Sequence, residues 1–471
     1  MEYQSTRGEA PVLGFADVLL AGLARDGGLY LPVSWPELSY ADIAGMRGAS
    51  YADVARTVMA PYVGDSIDGE AFGTMIDEAY ATFRHPAVAP LVQLDANDWV
   101  LELFHGPTLA FKDVAMQLLA RLMDHVLAQR GMRATIVGAT SGDTGGAAIE
   151  AFRTCERVDI FILFPDGRVS DVQRRQMTTV GGDNVHALSI DGTFDDCQAL
   201  VKAMFNNHGF RDRVGLSGVN SINWARIMAQ IVYYATAAVA LGAPERAVSF
   251  TVPTGNFGDI LAGHVAKRMG IPIDRLVVAT NRNDILRRAL ETGRYETSGV
   301  EKTQSPSMDI QVSSNFERVL YEALDRDGAA VKRMMAGLSQ SGAFTIPEAA
   351  LERLRAEFDA ATTDEAATAA VMRDTLAATG YLPDPHTAVG LGVARACRGN
   401  PATPMITLAT AHPAKFPAAV EAATGVTPPL PPFLSDLLDR TERMERLPND
   451  QAAVEDYVLG RTRAAAGRGA A

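Results

Sequence analysis

Lys112 is the residue best placed to do covalent chemistry, within HGPTLAFKDVAMQLLARLMDHVLAQRG, His105 to Gly131. A His-Gly-Pro turn opens the stretch and Thr108 is expected to cap a helix. Met116, Leu119, Ala120, Met123, Val126 and Leu127 then recur at three- and four-residue spacing, and Gly131 closes the helix. Lys112 falls in the first turn, where the positive end of the helix dipole disfavours an ammonium. Leu109, Ala110 and Phe111 before it predict a dry setting. Both effects favour the neutral, nucleophilic amine that condenses with a carbonyl. The plain alternative is a surface lysine at a helix start.

Three loops downstream could hold anions. In PTGNFGDILAGHVAKRMG, Pro253 to Gly270, a strand runs into Gly255, Asn256, Phe257 and Gly258 and a helix leaves directly after. Such a turn aims N–H groups and a helix dipole at a phosphate. No Gly-Lys-Ser/Thr follows and the dinucleotide glycine spacing is missing, so the competing reading is a tight turn without a ligand. In ATSGDTGGAAIEAF, Ala139 to Phe152, Thr140, Ser141 and Thr144 offer hydroxyls, and Gly142, Gly145 and Gly146 offer amides. These suit a carboxylate; Asp143 is discordant, and a helix start capped by Ser141 or Asp143 is the alternative. In VNSINWARI, Val219 to Ile227, a helix starting near Ile222 would bring Asn220, Ser221 and Arg226 to one phosphate. Taken alone, those residues favour the plainer reading, a helix cap with an exposed arginine.

The elements that position these loops follow an α/β grammar. Residues 1 to about 95 read as mostly helical, with a turn and short strand in DGGLYLP, Asp26 to Pro32. From Trp99 short apolar runs alternate with helical patterns: VLELF (100–104), ATIVGAT (134–140), FILFP (161–165) and VHALSI (185–190). A long helix is expected from about Asn223 to Leu241, then VSFTVP (248–253), LVVAT (276–280) and a late strand MITLATA (405–411). Strands alternating with helices imply βαβ units and a mostly parallel sheet. Three regions follow: 1–95; 96–222 with Lys112 and the Ser141–Gly145 loop; and 223–471 with the phosphate loop and a helical insertion at about 282–380. TPPLPP (427–432) breaks structure, and the tail TRAAAGRGAA (462–471) is expected to fray.

The chain of 471 residues is 47% hydrophobic and 21% charged, ordinary for a globular protein with two or three domains. Its net charge of −13 argues against nucleic acid or an anionic membrane as main partner. The longest apolar run, Ile231 to Leu241, is too short to span a bilayer, and MEYQSTRGEAP predicts no secretory leader. Cys155, Cys197 and Cys397 are too few for a disulfide framework or a zinc site, so no metal and a cytoplasmic setting are expected.

These segments, with STRG (Ser5–Gly8), PSMDIQVSSNFER (Pro306–Arg318), DPHTAVG (Asp384–Gly390) and ATAHPAKF (Ala409–Phe416), resemble the threonine synthases of the longer bacterial and fungal type, within the fold-type II pyridoxal phosphate enzymes. The resemblance runs over nearly the whole chain. It implies two open, mostly parallel sheets flanked by helices, an active site between domains, and pyridoxal 5′-phosphate as cofactor. Lys112 matches the Schiff-base lysine, and Gly255, Asn256, Phe257 and Gly258 the segment on the cofactor phosphate. Thr410 matches the hydroxyl residue beside the pyridine nitrogen. Asp143 stands near the ring where many fold-type II relatives carry asparagine. Thr140, Ser141, Gly142 and Thr144 match the loop on the substrate carboxylate, and Asn220, Ser221, Asn223 and Arg226 the residues on a substrate phosphate. His386 and Lys415 match their motifs without a role. The implied reaction converts O-phospho-L-homoserine and water to L-threonine and phosphate, by a monomer or homodimer. A dehydratase or phospholyase releasing 2-oxobutyrate and a non-catalytic phosphate- or nucleotide-binding module are the alternatives.

Overall fold

Every residue of VSFTVP, Val248–Pro253, is buried, as a central parallel strand covered on both faces requires. In this computed structural model, whose described residues are 1–465, that strand lies inside a six-stranded sheet. The order is Phe358–Thr362, Ile273–Thr280, Val248–Pro253, Met405–Ala409, Asp98–Glu102, Leu91–Asp95. All neighbours are parallel except the last pair, a hairpin. A second sheet of five parallel strands runs Glu445–Leu447, Val185–Ile190, Val158–Pro165, Ala134–Ala139, Leu216–Ser217.

Sheet membership departs from the linear division into 96–222 and 223–471. Asp98–Glu102 pairs with Met405–Ala409 in the six-stranded sheet, and Glu445–Leu447 joins the five-stranded one. Parallel neighbours need long crossovers, so strands far apart in sequence become adjacent. The stretch 282–380 is likewise not wholly an insertion: its Phe358–Thr362 strand extends the main sheet, Leu276 pairing with Phe358. Within residues 1–95 the short strand expected in DGGLYLP is Tyr30–Pro32, and it joins Glu2–Ser5 and Leu13–Gly14, strands not expected from the sequence, in an antiparallel sheet. The tail also differs from expectation at its start. Thr462 is buried with its hydroxyl 2.6 Å from that of Thr135, and Arg463 pairs with Asp159 at 2.7 Å; 466–471 lie outside the described residues.

Trp224–Ala240 is the helix around which the N-terminal region gathers. It is apolar nearly all round and buried accordingly. Tyr3, Trp35 and Tyr62 set their rings 6.0, 6.0 and 5.6 Å from Trp224 at its first residue. Asn223 caps it, accepting from the Ala225 N–H at 3.1 Å and donating to the Leu19 carbonyl at 2.9 Å. The first eighty residues thus brace the helix start that carries Arg226.

Candidate active site

The carboxyl ends of four parallel strands open toward one region: Glu102 leads to the His105–Phe111 turn, Ala139 to the Thr140–Gly142 loop, Pro253 to the Thr254–Phe257 loop, and Ala409 to Thr410. Open α/β sheets bind ligands at such ends. Two backbone contacts draw the first and last together, Phe111 N–H to Thr410 O at 2.8 Å and His412 N–H to Leu109 O at 3.0 Å.

The helix begins at Lys112 itself, Lys112–Gln129, and Thr108 is not its cap. Both donors of Thr108 go instead to Asp113, the N–H to Oδ2 at 2.8 Å and the hydroxyl to Oδ1 at 2.7 Å. Leu109 follows in the left-handed region, φ 62°, where a branched side chain is strained. Phe257, φ 60°, shares that conformation at the other loop. Such residues persist where the surroundings over-determine them, and these two bracket one site.

Lys112 is 11% exposed, with its ammonium 4.7 Å from the Phe111 ring centroid. Burial is the main cause holding its pKa below the usual lysine value; Asp143 and Asp113 oppose this, and Lys415 and Arg226 reinforce it. The expected neutral amine therefore has a physical basis, with burial and neighbouring cations as its cause.

Asp143 opens the helix Asp143–Phe152 and is the hub of the site. Its Oδ1 accepts from Gln173 Nε2 at 2.9 Å and lies 3.0 Å from Lys415 Nζ; its Oδ2 is 3.4 Å from Ser307 Oγ and 3.7 Å from Lys112 Nζ. Burial alone would raise its pKa, but Lys415, then Lys112, outweigh burial and hold the carboxyl well below the usual range. Beside it, His386 ties Asp384, 2.7 Å from Nδ1, to the Ser307 N–H, 3.2 Å from Nε2.

In the loop before Asp143 the expected free amides are occupied. Gly142 and Gly145 donate to Thr140 Oγ1 at 2.9 and 3.0 Å, and Gly146 to the Gly142 carbonyl at 3.2 Å. Ser141 is exposed and Thr144 half-buried, so their hydroxyls rather than the glycine amides are the groups available. Gly142 itself is obligatory: φ is 146° and a Cβ would fall 2.4 Å from Gln173.

Behind Gly255–Gly258 lies the PSMDIQVSSNFER segment. Ser313 Oγ donates to the Gly255 carbonyl at 2.6 Å; the Asn315 N–H and Nδ2 reach the Asn256 carbonyl at 3.0 and 3.1 Å. With those carbonyls tied back, the first N–H groups of the helix Gly258–Arg268, which have no intrahelical acceptor, form an anion cradle. A Cβ on Gly255 would meet the Ser307 carbonyl at 2.8 Å. Asn315 Nδ2 also donates to the Ser221 carbonyl at 3.1 Å, linking this cradle to the third loop.

In that third loop Arg226 is 3% exposed. Its Nη1 donates to the Val219 carbonyl at 3.2 Å, its Nε has no partner, and no salt bridge to it forms among the described residues. Burial pulls its pKa down to about 10. A buried guanidinium without a carboxylate is built for an anionic ligand. Ser221 is half-buried and Asn220 exposed nearby. Asn223 does not join them: both of its polar atoms serve the helix cap, which departs from its expected contact with a phosphate.

Asp259, second residue of the phosphate-loop helix, is also buried and accepts from Tyr233 at 2.5 Å and Tyr234 at 2.9 Å. Burial pushes its pKa up to about 6, against the hydrogen bonds that lower it. A raised carboxyl pKa stabilises the fold fully below the unfolded value near 4, and that contribution is lost as pH rises through 6, up to about 3 kcal/mol. Asp259→Asn is therefore expected to gain stability relative to the parent between pH 4 and 7, measured by urea unfolding. A constant difference would place the ionisation elsewhere.

Sequence reasoning missed Gln173, Gln176, Ser307, Ser313 and Asn315. The Pro306–Arg318 motif was the signal for the last three; nothing local marked the glutamines.

An amine whose pKa is lowered by burial, an anion cradle at a helix start, an unpaired buried arginine and Thr410, whose carbonyl accepts from Phe111 next to the lysine, fit pyridoxal phosphate. Residues 83–410 match the family model described as pyridoxal-phosphate dependent enzyme, and the chain is of that class, with the fold-type II arrangement of sheets. Residues 2–80 match the model for the threonine synthase N terminus and 387–458 that for threonine synthase, C-terminal. The threonine synthase of Pseudomonas aeruginosa is 54% identical, over 97% of this chain and 98% of that protein. The crystal structure of the pyridoxal-phosphate-bound threonine synthase from Brucella melitensis is 64% identical with a TM-score of 0.97, covering 98% of this chain and 100% of that one. Yeast threonine synthase gives 38% and 0.93, with 98% of both chains covered. The chain belongs to the threonine synthase family. No described helix is long and apolar enough to cross a membrane, and the described residues hold no cluster of three or more potential metal ligands.

Proposed function

We propose that this chain converts O-phospho-L-homoserine and water to L-threonine and phosphate, with Lys112 as the cofactor-bonding and proton-transferring residue. The observation that carries the reading is Arg226, a buried cation with no carboxylate, in the loop whose Ser221 carbonyl is tied by the Asn315 amide to the anion cradle at Gly255–Gly258. Two anion sites in one pocket suit two phosphates: that of the cofactor at Gly255, Asn256, Phe257 and Gly258, and that of the substrate at Arg226, Ser221 and Asn220.

Pyridoxal phosphate, when bound, supplies an aldehyde for amines and an electron sink for the carbanion. The chain supplies the rest. Lys112, its pKa lowered by burial, takes the proton from substrate Cα and then one from Cβ, both within reach of one flexible side chain. Arg226 and the amides beside it stabilise charge as the γ-phosphate departs. Ser141 and Thr144 hydroxyls hold the carboxylate, and Thr140 fixes their loop. A proton delivered to Cγ, in place of the one lost from Cβ, makes the methyl group; water then adds its hydroxyl at Cβ, its other proton leaving with the phosphate, and a proton returns to Cα.

Thr410 would face the pyridine nitrogen with a hydroxyl, which unlike a carboxylate does not favour the protonated ring. Thr410→Asp is expected to shift the visible spectrum of the bound cofactor toward the ring-protonated form; an unchanged spectrum would place Thr410 away from the nitrogen. The reading as a whole is tested by supplying O-phosphohomoserine and scoring threonine and phosphate together. Equal yields are expected. Phosphate with 2-oxobutyrate as the sole carbon product would make the chain a phospholyase.

A further inference from the structure

One buried lysine in the site has no part in the reaction above. Lys415 is fully buried: its ammonium donates to Thr108 O at 2.7 Å and Gln176 Oε1 at 2.8 Å and forms an ion pair with Asp143 Oδ1 at 3.0 Å. Two hydrogen bonds and an ion pair fix the position of this amine. Gln176 Nε2 also donates to Thr108 O at 3.0 Å, so the arrangement is anchored to the turn that starts the Lys112 helix. Lys112 is placed differently. Its nearest carboxylate oxygen, Asp143 Oδ2, is 3.7 Å away, outside hydrogen-bond distance. One carboxylate faces two amines, and the nearer one, Lys415, is its closer ion-pair partner.

We propose that Lys415 is a positioning residue: by saturating Asp143 it keeps that carboxylate an ionised, fixed acceptor, and it denies Lys112 the counter-ion that would hold its amine charged. The inference deepens the proposed function and rests on Lys112 being the amine that bonds the cofactor. The charged groups around Lys112 are Asp143 at the start of the Asp143–Phe152 helix, Lys415 from the segment after Met405–Ala409, Arg226 on the Trp224–Ala240 helix, Asp113 beside it in sequence, and Asp259 on the phosphate-loop helix. His386 faces Asp143 in addition. Of the cations, Lys415 alone forms a salt bridge shorter than that of Lys112 to Asp143 among the described residues. Without it, Asp143 has Lys112 as its remaining salt-bridge partner.

The test is the apparent pKa of the Lys112 nitrogen in the holoenzyme, read from the pH dependence of the bound cofactor's visible absorbance. Lys415→Met is expected to raise it by about 1 pH unit or more, and Asp143→Asn to lower it. In the Asp143→Asn background, the Lys415→Met change should move it by less than about half as much, the signature of coupling through that carboxylate. A purely structural role for Lys415 would lower thermal stability without moving the titration. An unmoved or lowered value in Lys415→Met overturns the proposal, as does an equal shift in both backgrounds. Should Lys415→Met not accumulate as folded protein, Lys415→Gln, equally uncharged and still a hydrogen-bond donor, is read by the same criteria. Borohydride trapping of the same preparations separates the two levels. Cofactor trapped on another side chain removes the reading of Lys112, whereas cofactor on Lys112 with an unmoved titration removes only the role of Lys415.

Discussion

Lys112→Ala is expected to lower kcat by more than about 10⁴-fold, the upper end of what one acid–base group contributes, because the same nitrogen also makes the covalent bond to the cofactor. The loss should be chemical and not structural. Lys112 stands among the cations Lys415 and Arg226, so removing its amine relieves repulsion as well as an ion pair, and the helix it begins is held by the Thr108–Asp113 bonds. Thermal unfolding of the variant should therefore match the parent within a few degrees, roughly the shift of 1 kcal/mol in a chain of this size. Steady-state assay and calorimetry on the same preparation check both halves. Turnover within about 100-fold of the parent would remove Lys112 from proton transfer.

Arg226 predicts the opposite relation between activity and stability. Arg226→Met should cost roughly 2–5 kcal/mol in kcat/KM for a phosphorylated substrate, since the guanidinium meets the leaving phosphate in a desolvated place. It should also raise the melting temperature. The chain keeps a guanidinium that is 3% exposed, with an unpartnered Nε and no salt bridge among the described residues. Replacing an ill-compensated buried charge by an apolar side chain of similar length commonly stabilises by about 1–4 kcal/mol. A site residue that costs stability and supports turnover is the trade-off expected of a binding charge. Unchanged kcat/KM would move the substrate phosphate elsewhere; a large fall in melting temperature would make Arg226 a structural residue.

How much of this could be read from the chain alone varies with the range of the interaction. VHALSI and VSFTVP become the strands Val185–Ile190 and Val248–Pro253, because each apolar run is bounded by turn residues and nothing distant competes. The helix from Trp224 to Ala240 is legible for the same reason, its cap Asn223 adjacent in sequence. Phe358–Thr362 was hidden: FDAAT has one large apolar residue and only Phe358 is buried, since it is an edge strand whose place is set by the Ile273–Thr280 neighbour. Thr108 misled because its hydroxyl and N–H reach past Lys112 to Asp113, a local alternative to capping that sequence spacing does not distinguish.

The site divides along the same line. Lys112, the phosphate loop and Arg226 were visible because each belongs to a local motif with its own physics. Asp143 was visible only as an oddity. Its partners Gln173 and Ser307 are 30 and 164 residues away, and the Lys415 that steadies it reaches Thr108 across 307. No periodicity connects such positions; the two sheets do, by bringing the helix that Asp143 begins against segments from the other sheet's crossovers. The amides of Gly142 and Gly145 show the converse: free by inspection of the loop, they are occupied once Thr140 folds under them.

Two lysines flank Asp143, the buried Lys415 at 3.0 Å and the half-buried Lys112 at 3.7 Å, so the assignment of the covalent residue can be decided between them. The holoenzyme is reduced with borohydride, digested, and the peptide carrying the reduced cofactor is sequenced. The mark is expected on Lys112, within HGPTLAFKDVAM. A mark on Lys415, within ATAHPAKF, or on any other residue contradicts the account.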